Sequence, residues 1–158
     1  MRSQPSDDLI FRQAARADVP EIVALLADDM LGVDREVAGD KLEDAYWTAF
    51  DAIERMEGAE QWVVERDGRM IGCFQLYFLP GLSLRGGLRA QIEAVRVAAD
   101  LRGQGLGARI FRWAIDRARD RGCILVQLAT NKQRHDAQRF YEKLGFKATH
   151  EGMKLTLA

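Results

Sequence analysis

The sequence has little that would staple it, bind a metal or anchor it in a membrane. Its two cysteines, Cys73 and Cys123, stand far apart in 158 residues and in no metal-like or redox spacing, which argues against a disulfide scaffold or a thiolate metal site. Each lies in or beside an apolar run, where a small buried hydrophobe belongs. There are only two histidines, His135 and His150. Both sit in polar surroundings and read as solvated groups, so no metal is expected. No apolar run approaches a membrane span, and the N-terminal residues are polar with no apolar signal region behind them. A cytoplasmic protein without membrane contact is the expectation. No Gly-Lys-Ser/Thr occurs, which sets aside a nucleotide P-loop. The basic residues come without an aromatic platform or a known recognition motif, so no nucleic-acid partner is expected.

What is present is an ordinary globular balance, 47% hydrophobic and 30% charged residues, in a length suited to one domain with its own core. The net charge of −1 hides an asymmetry. Residues 1–60 carry 15 acidic and 6 basic side chains, a net of −9, and residues 61–158 carry 9 acidic and 17 basic ones, a net of +8. Solvated helix faces of unequal composition account for much of this. The sharper reading is a molecule with one end suited to an anionic ligand and the other to a cationic one.

Periodicity gives the order β-α-α-β-β-β-α-β-α-β. Leu9–Ala14 reads as a strand. Asp18, Pro20 and Glu21 open a helix in the manner of a capping box, with Ile22, Leu25, Leu26 and Met30 as its apolar stripe and Gly32 as its stop. A second helix is expected over 37–56, with Leu42, Tyr46, Ala49, Ile53 and Met56 inward and Gly58 ending it. The acidic residues around it, from Asp28 and Asp29 through Asp34, Glu36 and Asp40 to Asp44, face solvent or a cleft. Two strands flank the Asp67-Gly68 hairpin signal. A Gly- and Pro-rich loop over 80–87 leads to a long strand over 88–98. A helix follows from Gly105 with Leu106, Ile110, Trp113, Ala114 and Ala118 inward. The continuous apolar run over 124–130 suits a strand buried on both faces. Asp136 can cap a last helix, with Gly145 and Phe146 forming its stop, and 153–157 reads as a closing strand.

The most informative stretch is Ile92–Arg109, a strand that runs through a short break into three glycines opening a helix. The first N–H groups of a helix lack partners within it, and the dipole favours negative charge there, so this is an anion site. Gly103-x-Gly105-x-x-Ala108 satisfies the letter of a dinucleotide fingerprint. The strand after that helix has no acidic residue for a ribose, and alternating βαβ units do not precede it.

The alternative includes Arg102. Arg102-x-x-Gly105-x-Gly107 after an apolar strand, joined to Asn131…Ala137-x-x-Phe140-Tyr141-Glu142-Lys143-Leu144-Gly145-Phe146, resembles the GNAT superfamily of N-acetyltransferases over most of the chain. The resemblance implies an α/β fold with a mixed, mostly antiparallel central sheet flanked by helices. It also implies acetyl-coenzyme A as cosubstrate. The pyrophosphate would lie against the backbone N–H groups of Arg102, Gly103, Gly105, Leu106, Gly107 and Ala108. Gln104 in the same turn, Phe140 on the last helix and Asn131 beyond the next strand complete the implied cofactor-binding set. Asn131 equally suits a loop-start residue bonding its own turn. Positive charge for the phosphates is available from Arg102, Arg109, Arg112, Lys132 and Arg134. In the family the pantetheine arm pairs like an added strand, which places it along the backbone of Val95 and Val97.

Acyl transfer to an amine needs the amine deprotonated, the developing oxyanion stabilised and the leaving thiolate protonated. The resemblance implies Tyr141 as the acid near the thioester sulfur. Glu93 is the candidate base. Simple strand alternation puts Gln91, Glu93, Val95 and Val97 on one face and Ile92, Ala94 and Arg96 on the other. Glu93 among apolar neighbours would then have a raised pKa. An ion pair of Glu93 with Arg85 or Arg89 is the competing reading. The expected activity is transfer of acetyl from acetyl-coenzyme A to a primary amine by direct attack in a ternary complex. The acceptor is a small molecule or peptide, and the acidic first segment favours a cationic one. A coenzyme A-binding module without catalysis and a transferase of another acyl group are the alternatives. The resemblance extends the homodimer found in many members to this chain.

Overall fold

A computed structural model describes residues 8–29, 31–39 and 41–157, and only the backbone of His135. Met30, Asp40 and the His135 imidazole, named above, lie outside the described residues. The elements run β1 (Ile10–Gln13), α1 (Val19–Ala27), α2 (Asp44–Arg55), β2 (Ala59–Arg66), β3 (Arg69–Leu79), the four-residue turn α3 (Ser83–Gly86), β4 (Arg89–Val97), α4 (Leu106–Asp120), β5 (Leu125–Gln127) and α5 (His135–Lys143). The five strands form one open sheet in chain order. Every neighbouring pair is antiparallel except β4 and β5, which are parallel and joined through α4. The expected mixed, mostly antiparallel sheet flanked by helices is therefore the observed fold. No described helix is long and apolar enough to cross a membrane.

The sheet is covered on both faces. On one, α4 lays Leu106, Ile110, Phe111, Ala114 and Ala118 against Trp62, Val64, Phe74, Leu76, Phe78, Ala90 and Ile92. Trp113 stacks on Phe11 at 4.7 Å between centroids and meets Trp62 edge-on at 4.5 Å. On the other face, Ile22 and Leu25 of α1 cover Val63, Met70 and Cys73. Glu60 is buried beneath α4, but it accepts from Trp62 Nε1 at 2.9 Å and from Arg117 at 2.6 Å, so its charge is compensated. The hairpin at Asp67 and Gly68 has φ of 53° and 75°, the pair of left-handed residues that Asp-Gly supplies. α5 stops as expected, with Gly145 at φ 94° and Phe146 N–H donating to Tyr141 O at 3.0 Å.

Six expectations fail. The segment before α2 is not helical, because Val37 N–H donates to the Tyr46 hydroxyl at 2.9 Å instead of entering a helical ladder. Phe50 is the buried anchor of α2, while Ala49 and Met56 are exposed. Asp18 does not cap forward; its carboxylate accepts from Ala15 N–H at 2.7 Å, across a 3-10 turn at Arg16–Asp18. Asp136 lies inside the first turn of α5 and makes no capping bond. The apolar run after α4 yields only the half-buried β5, with Ile124 exposed, and 153–157 forms no strand, leaving Met153, Leu155 and Leu157 exposed.

Arg12 ties the first strand to the layer behind it. Its guanidinium donates to both Asp18 oxygens at 2.7 and 2.9 Å and to Glu65 at 2.6 Å. The bonds from Arg12 hold the Asp18 carboxyl below the usual aspartate range. That stabilisation is present above the ordinary aspartate pKa and is lost as pH falls through the depressed folded value. Arg12→Met should cost about 1 kcal/mol at neutral pH, with solvent screening of the part-exposed guanidinium limiting the loss. The gap between wild type and variant should narrow toward about pH 3. Urea midpoints at both pH values check this, and a gap that does not change with pH contradicts it.

Candidate functional site

The site is shaped by a defect in β4. The register pairs Gly72 with Val97 and Cys73 with Arg96, then resumes with Gln75 against Glu93, Leu76 against Ile92 and Tyr77 against Gln91. One extra residue is accommodated around Ala94, a non-glycine residue at φ 52°. A one-residue bulge inverts the alternation beyond it. Simple alternation is thereby corrected: Gln91 and Glu93 share the α1 face with Arg96, while Val95 and Val97 join Ala90 and Ile92 on the α4 face.

Pairing of β4 with β5 covers only Arg89 to Gln91 against Leu125 to Gln127. Beyond it, no strand pairs with the β5-facing edge of β4 among the described residues. Ala98 N–H donates toward β3, to Ile71 O at 2.9 Å, so backbone alternation turns the peptide groups of Val97 and Val95 into this gap. Their carbonyls are met by side chains there: Arg102 Nε donates to Val97 O at 3.1 Å and Arg96 Nη1 to Val95 O at 2.9 Å. An open strand edge of this kind accepts an extended polar chain.

The gap runs directly into the glycine turn. Gly103 and Gly105 adopt φ of 77° and 80°, and a Cβ on either would meet nothing within 4 Å. They serve the backbone conformation and leave the space above the turn open. Arg109 N–H makes the first bond of α4, to Gly105 O at 3.2 Å, so the N–H groups of Leu106, Gly107 and Ala108 precede any helical partner. Gly107 lies under Phe140, whose ring would sit 3.5 Å from a Cβ there. Arg102 N–H donates to Ala99 O at 3.4 Å and its side chain turns back to Val97 O and Asp28 O. Gln104 likewise reaches Asp100 O at 3.4 Å. Asn131 holds its own turn, its side-chain oxygen accepting from Gln133 N–H at 2.9 Å. Lys132 pairs with Glu151 at 3.2 Å.

Tyr141 packs against Phe111 of α4, the helix that the glycine turn opens. Its ring meets Phe111, Phe140 and Phe146 edge-on at 5.4, 5.3 and 6.1 Å. Burial raises its phenol above the usual value, and the charges of Arg134 and Arg96 work against that rise. It is therefore a neutral donor at physiological pH.

On the α1 face the strands carry a polar lane. Gln127 donates to Gln91 at 2.7 Å, Gln91 donates to Glu93 at 3.0 Å, and Gln75 donates to the Tyr77 hydroxyl at 2.6 Å. Glu93 is exposed in this lane, not set among apolar neighbours, and its carboxylate takes the Gln91 amide, not Arg85 or Arg89. Burial, then the charge of Glu93, raises the Tyr77 phenol.

Beyond Glu93 lies a charge cluster absent from the sequence-based site. Asp29, at the end of α1, pairs with Arg96 at 3.3 Å and with Arg134 at the start of α5. Side-chain exposures are 12% for Asp29, 14% for Arg96 and 30% for Arg134. Burial lowers the Arg96 pKa, Asp29 opposes that, and the positive charges of Arg134 and Arg35 add to it. The Nε of Arg96 is buried with no hydrogen-bond partner among the described residues. The available signal was Arg96 between Val95 and Val97 on the strand, because a buried charge requires partners. The acidic first segment is in part consumed here: Asp28 pairs with Arg102 at 3.7 Å, Asp29 with two arginines, and Glu36 accepts from the Tyr46 hydroxyl at 2.9 Å.

Neither cysteine has the character of a nucleophile. Burial pushes the Cys73 thiol up to about 12 and also raises Cys123. Among the described residues no group of His, Cys, Asp and Glu could hold a metal ion.

Residues 20–146 match the model of the acetyltransferase (GNAT) family. The chain is 34% identical over 85 residues to the aminoalkylphosphonate N-acetyltransferase of Salmonella typhimurium, a match covering 54% of each chain. It is 34% identical over 90 residues to the glucosamine 6-phosphate N-acetyltransferase of Trypanosoma brucei brucei, covering 57% of this chain and 59% of that one. The chain thus spans little more than half the length of these curated relatives. A crystal structure of a transcriptional regulator from Bacillus halodurans C-125 superposes with a TM-score of 0.91 at 44% identity, over 95% of this chain and all of that one.

Proposed function

The chain belongs to the acetyltransferase (GNAT) family, and from that premise we propose that it transfers acetyl from acetyl-coenzyme A to a primary amine by direct attack. The observation that carries this reading is an open β4 edge that leads along the chain into the glycine turn, with Tyr141 packed on the helix that the turn opens. The residues fit the cofactor: open space lies over Gly103 and Gly105, the N–H groups of Leu106, Gly107 and Ala108 precede the first helical bond of α4, and peptide groups of Val95 and Val97 face the gap. When bound, acetyl-coenzyme A supplies the activated acetyl thioester.

The α4 N-terminus holds the anionic end through backbone donors and its dipole. The β4 edge orients the arm, and a backbone N–H there stabilises the oxygen on which charge develops. Glu93, with Tyr77 beside it, holds the incoming ammonium and accepts its proton directly or through water. The amine nitrogen bonds the acetyl carbon as the carbon–sulfur bond breaks. Of the two protons the ammonium loses, one leaves through Glu93 to solvent and the other balances the proton that Tyr141 gives to the departing sulfur. Gln104, Asn131 and Phe140 line the same region; Asn131 and Phe140 act by fixing the turn before α5 and the α4–α5 contact.

The two curated relatives are named for acetylating an aminoalkylphosphonate and glucosamine 6-phosphate, which supports an amine on a small molecule as acceptor. A screen of amines for thiol release from acetyl-coenzyme A tests the reading, and one class of amine should turn over. A second reading, a coenzyme A-binding regulatory module, draws on the name of the 44%-identical structure. Tight cofactor binding with no turnover on any amine would favour it.

A further inference from the structure

The α1 face of β4 carries a separated pair of opposite charges. Glu93 and Arg96 lie on the same face of β4 only because the bulge at Ala94 removes one position from the alternation. Their β3 partners, Gln75 and Cys73, are two residues apart, a rise of about 7 Å. At one end stands the exposed carboxylate of Glu93 with amide neighbours. At the other, two guanidiniums, those of Arg96 and Arg134, converge on the single carboxylate of Asp29, with Arg35 close enough for its charge to act on Arg96. Among the described residues this cluster has more arginine than Asp29 can neutralise, and the buried Nε of Arg96 is left without an acceptor. A planar, forked donor of this kind suits a carboxylate, phosphonate or phosphate.

We infer that the acceptor is a small amine that also bears an acidic group, its ammonium at Glu93 and its anion at Arg96 and Arg134. This rests on the N-acetyltransferase reading and narrows it to zwitterionic amines in place of a wholly cationic acceptor. The span of about 7 Å fits an amine and an acid separated by a few carbons. Arg96 is fixed by Asp29 and by Val95 O, and Arg134 enters from the α5 side of the gap, so an acid bound there turns the amine toward the β4 edge.

The test compares acceptors of similar length: 3-aminopropylphosphonate, 4-aminobutyrate, propylamine and 1,3-diaminopropane. It uses the full chain with acetyl-coenzyme A. The acidic amines should exceed propylamine in kcat/KM by about tenfold or more, and the ratio of phosphonate to carboxylate names the acid. Arg134→Gln should bring that preference close to parity through acceptor KM, with the acetyl-coenzyme A Kd changed less than about twofold. Arg134→Lys should restore part of it. Arg96→Gln should act in the same direction, and the more exposed Arg134 pair keeps the test valid if that variant does not fold. A wild type that prefers diaminopropane, or treats acidic and neutral amines alike, overturns the inference while leaving the transferase reading intact. Substitutions that weaken acetyl-coenzyme A instead of the acceptor assign the arginines to the cofactor phosphates and also overturn it. If no amine turns over, the transferase reading fails and this inference fails with it.

Discussion

Gly105→Glu should remove measurable binding of acetyl-coenzyme A while leaving a folded protein. The two effects separate because of what surrounds this glycine. Its φ of 80° disfavours any side chain, yet a Cβ there would meet nothing within 4 Å. The variant therefore carries about 1 kcal/mol of backbone strain and no internal clash. The loss falls on the ligand side. A glutamate at the position preceding Leu106 would project its carboxylate over the first free N–H groups of α4 and place negative charge where the dipole otherwise favours a diphosphate. A rise in Kd of about 100-fold or more is expected. Calorimetric titration with acetyl-coenzyme A, beside a thermal melt, reads both quantities. Near-normal affinity would show that the turn is not the cofactor site. Gly105→Ala is the control: it keeps the strain without the charge and should fall between the two.

The turn was legible in the sequence because its requirements are local. Glycines at left-handed φ, a strand before them and an apolar helix behind them are all visible within twenty residues. So were the Asp67-Gly68 hairpin and the Gly145 stop, where one or two residues set the backbone. What sequence could not show depended on partners far along the chain. The bulge at Ala94 exists only as a mismatch between β3 and β4, and no residue in 88–98 marks it. That single residue decided which side chains share the α1 face of β4. It moved Glu93 away from Val95 and into company with Arg96. Asp29 looked like one acidic residue among many until α1 brought it against arginines 67 and 105 positions away. The failed capping role of Asp18 has the same origin, since Arg12 and Ala15 claim its carboxylate.

The same rearrangement bears on the charge asymmetry. A net of −9 in the first 60 residues suggests an attraction for cations, but net charge counts groups that the fold neutralises. Asp28 and Asp29 are spent on Arg102, Arg96 and Arg134. At close range the arrangement of charges in the cleft outweighs the sum over the segment, because screening by salt limits exposed charges to about 10 Å.

Tyr141→Phe should lower kcat by about 100-fold or more and leave acetyl-coenzyme A affinity nearly unchanged. The substitution removes one oxygen from a ring held edge-on by Phe111, Phe140 and Phe146. Phenylalanine keeps those contacts, so the α4–α5 packing that supports the glycine turn stays in place. What is lost is the neutral O–H of that ring. Burial raises this phenol above the usual tyrosine value, while Arg134 and Arg96 restrain the rise. The sign matters for the pH profile. An acid whose pKa lies above 10 stays protonated throughout the working range, so the wild-type rate should show no alkaline fall from this group below about pH 10. An amine acceptor becomes more reactive as it loses its proton, so kcat/KM should rise with pH toward a plateau. The variant should keep that rise at a lower level, because the amine's ionisation is untouched. A leaving thiolate deprived of its proton donor makes the lost rate depend on the leaving group. Acetyl donors with more acidic thiols should then recover part of the deficit in the variant, and they should gain little in the wild type. A kcat unchanged by the substitution, or a loss confined to cofactor affinity, would remove Tyr141 as the acid and leave it as a packing residue of the aromatic cluster.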